Sequence, residues 1–288
     1  MGGGGIFSAG SDPNFGYNAL FGNAPGSYGG NLQAGDGVET LPPADPQFIS
    51  LDPASPDFLH LAESSPAEDT GDPTSPIMVD IDGAPRPSNQ GFDIGADEIG
   101  DCYVRINGLE PTYGSVQRAI DDALSGDTLF VAGTCKGAPP VNEGGAMLYQ
   151  TAFFSKTLSV RGGYTPDNWE EPKPSVYTTT LDALSLGRTV YVTNSAVVSM
   201  TGLLLQNGAA DHGGAIYVGD GVFTLTQSTV ATSTAELGGG LYNAGAQLYV
   251  VGETRIHSNA ADDGGAVYAA GGSTYLGGES GYVTNSAT

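Results

Sequence analysis

The sequence predicts an all-β protein whose chain winds as a parallel β-helix, a solenoid with about three short strands per coil. A Gly-Gly-(Ala/Gly)-aliphatic-Tyr motif occurs at residues 213–217, 238–242 and 264–268, and its tyrosines are 25 and 26 residues apart. The runs between these motifs are β-rich and none of them has helical periodicity, which favours a β-solenoid. Glycine supplies 45 of the 288 residues, as tight coil turns require because glycine adopts positive φ.

Alternation along each motif predicts which side chains face the core, because neighbouring side chains of a strand point to opposite faces. The expected inward ladder comprises Ile216, Leu241 and Val267. The expected outward column, at the strand spacing of about 4.8 Å, comprises Tyr217, Tyr242 and Tyr268. Two interpretations of this column are open: a platform on which sugar rings stack, or a set of rings that stack on one another and stabilise the solenoid.

Two parts of the chain resemble bacterial surface proteins. The motifs with their upstream asparagine resemble the GGAI and FxxN repeats of polymorphic outer-membrane proteins and related right-handed parallel β-helix surface proteins. Residues 45–98 resemble the closing segment of extracellular β-helix proteins with a choice-of-anchor region. The matching stretches are Asp45-Pro46-Gln47-Phe48, Asp57-Phe58-Leu59-His60-Leu61, Ser65-Pro66-Ala67, Asp80-Ile81-Asp82-Gly83, Arg86 and Asp93-Ile94-Gly95-Ala96-Asp97-Glu98. Glu68 departs from the pattern, which usually has an aliphatic residue there.

This resemblance implies a right-handed solenoid in an exported, surface-exposed protein. It implies no established set of catalytic residues. It also divides the chain into two domains. Residues 1–100 would be the last coil and closing segment of a first β-helix, since Gly2 to Phe7 match the repeat frame. Residues 101–288 would be the start of a second β-helix. We expect the export signal and the anchor to lie outside this sequence.

The second solenoid is predicted to begin with a short capping helix over about residues 114–124. Val116, Ala119, Ile120 and Ala123 fall at i, i+3, i+4 and i+7, which is one face of a helix. Gly126 supplies a stop signal. The exposed core at a solenoid end needs such a cap. The segments after the cap are predicted as strands at 128–131, 157–160, 190–193 and 197–205, with an ordered side loop starting at residue 163.

Cys102 and Cys135 flank the predicted cap. Disulfides form and persist in exported proteins, so we expect these two cysteines to be bonded. The alternative is two unpaired thiols. Two cysteines do not make a zinc site, and the sequence has neither a CxxC nor an HExxH motif.

The repeat register predicts a column of carboxylates. The residues two positions before the first glycine of each motif are Asp211, Glu236 and Asp262. Three interpretations are open: a solvated turn, a Ca²⁺ site with oxygen-only ligands, and a catalytic acid and base at the spacing of a retaining glycosidase. His212 and Asp263 lie one position further on and could assist. No cofactor is required under the first interpretation.

The charge excludes several partners. The formal net charge is −23, with 32 acidic and 9 basic residues, and binding to nucleic acid or to an anionic membrane surface needs clustered cations. No apolar run is long enough to span a bilayer. Arg86 is the sole cation in residues 1–100, and we expect it to pair with Asp93 or Glu98 and fix the closing turn.

Two functions follow as hypotheses. The first is an exported, extracellular or cell-surface β-helix with a structural or adhesive role, without catalysis, whose partner is a glycan or a host or neighbouring surface. The second is a polysaccharide-active enzyme, a lyase or glycoside hydrolase, that uses the carboxylate column. Against the enzyme, the chain has no Gly-His-Gly, and Arg255 is the only cation after Arg188. An anionic polyuronate would also meet a net-negative wall.

Overall fold

The chain folds into two compact units, Met1–Gly100 and Asp101–Thr288. The computed structural model describes residues 6–8, 28–30, 45–53, 58–62, 65–77, 80, 81, 86, 92–98, 100, 102–278, 281–283 and 285–287. Several residues of the sequence patterns above lie outside this set, namely Gly2 to Gly5, Asp57, Asp82 and Gly83.

The described part of the first unit contains a parallel pair of short strands. These are β1 (Ile6–Ser8) and β2 (Tyr28–Gly30), with Ile6 opposite Tyr28. Later in the unit, single β-bridges join Phe48 to Leu61 and Ser50 to Phe58. The parallel pairing of β1 with β2 is the kind of pairing that stacked coils produce. The assignment of this unit as the end of a first β-helix remains a prediction.

Arg86 organises the end of the first unit. Its buried guanidinium donates from Nε to Oε1 of Glu98 at 2.7 Å, from Nη1 to the Gly95 carbonyl at 3.0 Å, and from Nη2 to the Asp93 carbonyl at 2.7 Å. Glu98 Oε1 also accepts the backbone N–H of Asp93. Of the two acids that could pair with Arg86, Glu98 therefore provides the carboxylate, whereas Asp93 contributes its main chain.

The second unit begins with a cap of two strands and one helix. Strands β3 (Cys102–Ile106) and β4 (Leu109–Tyr113) are antiparallel, and helix α1 (Val116–Asp122) follows. The Ser115 side chain accepts a hydrogen bond from the Arg118 N–H, which satisfies a free donor at the helix start. The helix buries the predicted apolar face, with Ala119 and Ile120 at 2% exposure or less. A helix is thus present within the range predicted for the cap, at residues 116–122.

The predicted disulfide is also confirmed, since Cys102 is bonded to Cys135. Its position follows from strand pairing. Strand β3 runs antiparallel to the strand at residues 128–136, and Cys102 lies opposite Gly133, two residues before Cys135. The bond ties the cap to the first strand of the solenoid.

Parallel strands make up the rest of the unit. They are β5 (Thr128–Lys136), β6 (Pro140–Glu143), β7 (Ala146–Phe154), β8 (Leu158–Tyr164), β9 (Thr179–Asp182), β10 (Arg188–Val192), β11 (Val197–Thr201), β12 (Leu203–Gln206), β13 (Ala209–His212), β14 (Ile216–Val218), β15 (Val222–Thr226), β16 (Thr229–Ala231), β17 (Thr234–Leu237), β18 (Leu241–Asn243), β19 (Gln247–Val251), β20 (Arg255–His257), β21 (Ala260–Asp263), β22 (Val267–Ala269), β23 (Ser273–Leu276), β24 (Gly281–Val283) and β25 (Ser286–Ala287). Apart from the hairpin of β6 with β7, every pairing among them is parallel.

The coils stack into a β-solenoid with flat faces. One face is the sheet β22-β18-β14-β10-β7-β6, and another is β13-β17-β21-β25. The remaining strands form two ladders that β5 joins, because its first half pairs with β8 and its second half with β9. No helix among the described residues is long and apolar enough to cross a membrane.

Each complete coil has four strands rather than the three expected, as β13 to β16 show over residues 209–231. The additional face is the sheet of β13, β17, β21 and β25. Its sequences are polar and half exposed, so they lack the apolar alternation that identifies a strand. The predicted strand 197–205 is likewise two strands, because Gly202 at a φ of 72° turns the chain between them.

The core contains the predicted aliphatic ladder. Ile216 and Leu241 are fully buried, and Val267 is partly buried and packs against the core. Val267 is less covered because β22 is the last strand of its sheet.

Two asparagines, Asn259 and Asn285, align successive coils at one turn. Oδ1 of Asn259 accepts the Ser233 N–H at 3.0 Å, and Oδ1 of Asn285 accepts the Asn259 N–H at 3.1 Å. Each asparagine also donates to a carbonyl of the coil below, Val230 for Asn259 and Ile256 for Asn285. The repeated asparagine thus accepts a backbone N–H at the turn of one coil and donates to a strand carbonyl of the preceding coil.

Candidate functional site

A continuous column of stacked aromatic rings, the ring column, follows one face of the second unit. Among the described residues it has one ring from each of β7, β10, β14, β18 and β22. In order, the rings are Phe153, Tyr191, Tyr217, Tyr242 and Tyr268, with centroid separations of 5.5, 4.7, 5.4 and 5.5 Å and interplanar angles of 17°, 14°, 8° and 1°. The parallel register places each ring directly beside the next.

The flat faces of the rings in the ring column are covered by neighbouring rings. The centroid separations fall in the range in which aromatic pairs attract one another. A sugar that stacks on an aromatic side chain needs a free ring face, and Tyr217 and Tyr242 have a ring on both sides. This geometry favours mutual stacking over a sugar platform.

Arg188 lies against the ring column. Its guanidinium carbon is 5.4 Å from the ring centroids of both Tyr191 and Tyr217, a cation–π geometry. Its Nε donates to the His212 carbonyl at 2.8 Å, and the His212 ring meets Tyr242 edge-on at 4.9 Å. Burial lowers the pKa of Arg188, while Tyr191, Tyr217 and Asp211 oppose that shift.

Tyr191, in the ring column, has a raised pKa. Burial raises the pKa of its hydroxyl, and Tyr217 raises it further through its charge and through a hydrogen bond between the two side chains. Arg188 acts in the opposite direction. The neutral phenol is therefore the favoured form in the folded protein.

Sequence reasoning missed Phe153, Tyr191 and Arg188 at this face. A signal existed for the second and third, because Gly187-Arg188-Thr189-Val190-Tyr191 fits the motif frame 26 residues before Tyr217. Arg188 occupies the position of the second glycine, so a search for two adjacent glycines passes over it. Phe153 could not be found in this way, because the first coil contains the side loop and breaks the period.

The structure brings the three predicted carboxylates onto one face. Asp211, Glu236 and Asp262 lie on β13, β17 and β21, and the pairing of the flanking residues puts them in register. All three side chains are exposed. They are therefore on strands rather than in a turn. Within the described part of the chain, no three His, Cys, Asp or Glu side chains converge in an arrangement that could hold a metal ion.

A cleft lies on a different face, beneath the side loop that connects β8 to β9. It encloses about 1000 Å³ and is bounded by that loop and by turns of the following coils. A smaller cavity of about 430 Å³ adjoins it and shares Pro174, Gln227 and Thr229 with it. No sequence pattern predicts this cleft.

No protein-family model, curated protein or solved structure matches this chain. The parallel β-solenoid is established by the structure itself.

Proposed function

We propose that this chain belongs to an exported, cell-surface protein in which a parallel β-solenoid has a structural or adhesive role and catalyses no reaction. One observation carries the proposal: the coils present the same residue types at the same positions, as the ring column, the asparagine ladder and the carboxylate column do. An enzyme site instead gathers different groups in different environments at one place.

Two further features support the cell-surface assignment. The bonded cysteines Cys102 and Cys135 suit an oxidising compartment. The motifs and residues 45–98 resemble polymorphic outer-membrane proteins and extracellular proteins with a choice-of-anchor region, which are exported surface proteins. Under this proposal the ring column stiffens the solenoid, and other faces contact a glycan or a neighbouring surface.

Labelling of intact cells tests the location. An antibody raised against residues 102–278, which include the whole ring column, should label intact source cells as strongly as permeabilised ones. An antibody against a cytosolic protein of the same cells serves as the control and should label only after permeabilisation. Labelling by the first antibody that also requires permeabilisation would contradict the proposal.

A polysaccharide-active enzyme is the second candidate, and the carboxylate register favours it. Asp211, Glu236 and Asp262 lie on adjacent strands, about 4.8 Å apart along the stack, which is close to the separation of about 5 Å in retaining glycosidases. Their similar exposure counts against it, because an acid and a nucleophile need different environments. Release of reducing ends or unsaturated products by the purified protein, lost in Glu236→Gln, would support this candidate.

A further inference from the structure

The side loop, residues 165–178, is fastened to the solenoid by close backbone packing. The Lys173 N–H donates to the Gly163 carbonyl at 2.7 Å. A Cβ at Gly163 would lie 2.5 Å from the Pro174 nitrogen, and one at Gly202 would lie 2.9 Å from the Pro174 Cβ. The two glycines therefore let Pro174 close onto the strands. The loop forms a defined wall of the cleft.

The start of the loop is fixed by aromatic contacts. Tyr164 stacks on Phe130 at 4.7 Å on one side and on Trp169 at 5.8 Å on the other. The guanidinium of Arg105 lies 4.9 Å from the Trp169 ring. Burial raises the pKa of the Tyr164 hydroxyl, and the nearby charge of Arg161 opposes that shift. Arg161 therefore lies close to this anchored tyrosine, at the rim of the cleft.

The cleft is locally cationic in an acidic protein. The charged residues that line it are Arg161, Lys173, Arg255 and Glu253, which gives a net charge of +2, whereas the whole chain carries −23. A third of the nine cations of the chain thus lie along one cleft. The sequence-based expectation that a polyanion meets a negative wall does not hold at this face.

The cations are spread along the solenoid axis. Arg161 is on β8, whereas Arg255 begins β20, three coils further along the stack. At the strand spacing, this corresponds to about 14 Å. A single small anion cannot contact both ends, but an extended chain with carboxylates at intervals can.

The rest of the lining suits a polyhydroxylated ligand. Thr201, Ser228 and Thr229 carry hydroxyls, and Gln227 carries an amide. Hydroxyl and amide groups both donate and accept hydrogen bonds, as the hydroxyls of a sugar do. Arg161 and Arg255 can each form a two-point contact with a carboxylate.

We propose that this cleft binds a segment of an acidic polysaccharide, with uronate carboxylates on Arg161, Lys173 and Arg255 and sugar hydroxyls on the polar lining. This ligand class deepens the adhesive role proposed above and rests on it. Binding needs no catalytic step.

Binding by the purified chain tests the proposal with matched probes. The probes are a hexamer of β-1,4-linked mannuronate, neutral β-1,4-mannohexaose, and hexaglutamate, all measured by calorimetry at low salt with a chelator present. We expect the mannuronate hexamer to bind at least about ten times more tightly than either control, with an affinity that falls as salt screens the contacts. Comparable affinity for mannohexaose or hexaglutamate, or no binding of the mannuronate hexamer, would overturn the proposal.

Variants locate the binding to the cleft. Each of Arg161→Gln, Lys173→Gln and Arg255→Gln should weaken binding about two- to fivefold, as expected for exposed charge pairs, and the triple variant should weaken it more than about tenfold. Arg118→Gln makes the same charge change outside the cleft and should have no effect. Glu253→Gln removes the negative charge of the cleft and should tighten binding. A gain in affinity cannot result from unfolding, so this variant separates an effect of charge from a loss of structure. A triple variant that folds and keeps its affinity would refute the site.

The outcome is separate from that of the proposed function. The purified chain binds or fails to bind wherever the protein resides. Surface labelling without binding would support the surface role and exclude this ligand. Binding without surface labelling would support this ligand and contradict the surface role.

Discussion

A single cation holds the closing turn of the first unit together. Arg86 is 7% exposed, and its partner Glu98 has a side chain only 1% exposed. A buried ion pair of this kind adds little net stability, but removal of one partner leaves the other charge buried without compensation.

We therefore predict that Arg86→Ala destabilises the first unit by about 3 to 5 kcal/mol. Amide hydrogen exchange of residues 92–98 measures this effect and should become on the order of a hundredfold faster or more. The exposed pair of Lys173 with Glu171, 4.0 Å apart, supplies the control, since Lys173→Ala should change stability by less than about 1 kcal/mol. Unchanged exchange in Arg86→Ala would show that Arg86 does not fix the turn.

Tyr191 gives a pH-dependent prediction at the same scale. Because its pKa is raised in the folded state, folded and unfolded chains are both protonated at this site at neutral pH. As the pH rises above about 10, the unfolded chain loses the proton first, so stability falls. Tyr191→Phe should make the free energy of unfolding decline less steeply above about pH 10. Urea unfolding at several pH values measures the slope, and equal slopes would contradict the assigned shift.

At the scale of elements, the ring column couples successive coils. Tyr242 stacks on Tyr217 and Tyr268 and meets the His212 ring edge-on. Tyr249 lies on another face and makes one tilted contact with Tyr275 at 6.3 Å. These two tyrosines share a coil and differ in their stacking.

We predict that Tyr242→Leu lowers the free energy of unfolding by about 1 to 3 kcal/mol, because two stacked pairs are lost. Tyr249→Leu is the matched control and should cost less than about 1 kcal/mol. Urea unfolding of both variants gives the comparison, and a double-mutant cycle with Tyr217→Leu isolates one pair. Equal losses in the two single variants would mean that stacking contributes nothing beyond burial.

The disulfide acts at the same scale, between the cap and the solenoid. It closes a loop with a sequence separation of 33 residues. On the loop-entropy account, replacement of Cys102 and Cys135 by Ser should cost roughly 3 to 4 kcal/mol. The fluorescence of Trp169, which lies against Arg105 of β3, reports on this region, and its urea midpoint should fall. An unchanged midpoint would show that the cap is held without the bond.

At the scale of the whole molecule, acidity is the dominant electrostatic feature. A net charge of −23 opposes the compact state through self-repulsion. The carboxylate column adds a local contribution, since like charges in register on neighbouring strands are unfavourable. Added salt screens both effects.

We predict that Glu236→Gln raises stability by about 0.2 to 1 kcal/mol at low salt and that the gain disappears at high salt. Thermal unfolding in NaCl and in CaCl₂ at equal ionic strength should give equal stabilisation of the unchanged protein. A larger effect of CaCl₂ that is lost in Glu236→Gln would instead show that the column binds Ca²⁺.

Much of the fold could be predicted from particular residues. The spacing of Tyr217, Tyr242 and Tyr268 set the register, and alternation within the motif placed Ile216 and Leu241 in the core. The polar face of β13, β17 and β21 could not be recognised, because its stability comes from backbone pairing with neighbouring coils and leaves no apolar pattern.

The sequence by itself determined the repeat, the inward ladder and the place of the capping helix, and it favoured a bond between the two cysteines. All of these depend on local periodicity, on a fixed spacing between identical coils, or on the number of cysteines. Only the tertiary structure decided that Arg161, Lys173 and Arg255 share a cleft, whereas Arg188 meets the ring column through the regular stacking of coils. Arg255 is far from the other two cleft cations in sequence, and the three meet because an irregular loop folds back against coils formed later in the chain. The closure of that loop depends on the absent side chains of Gly163 and Gly202, which no periodicity records.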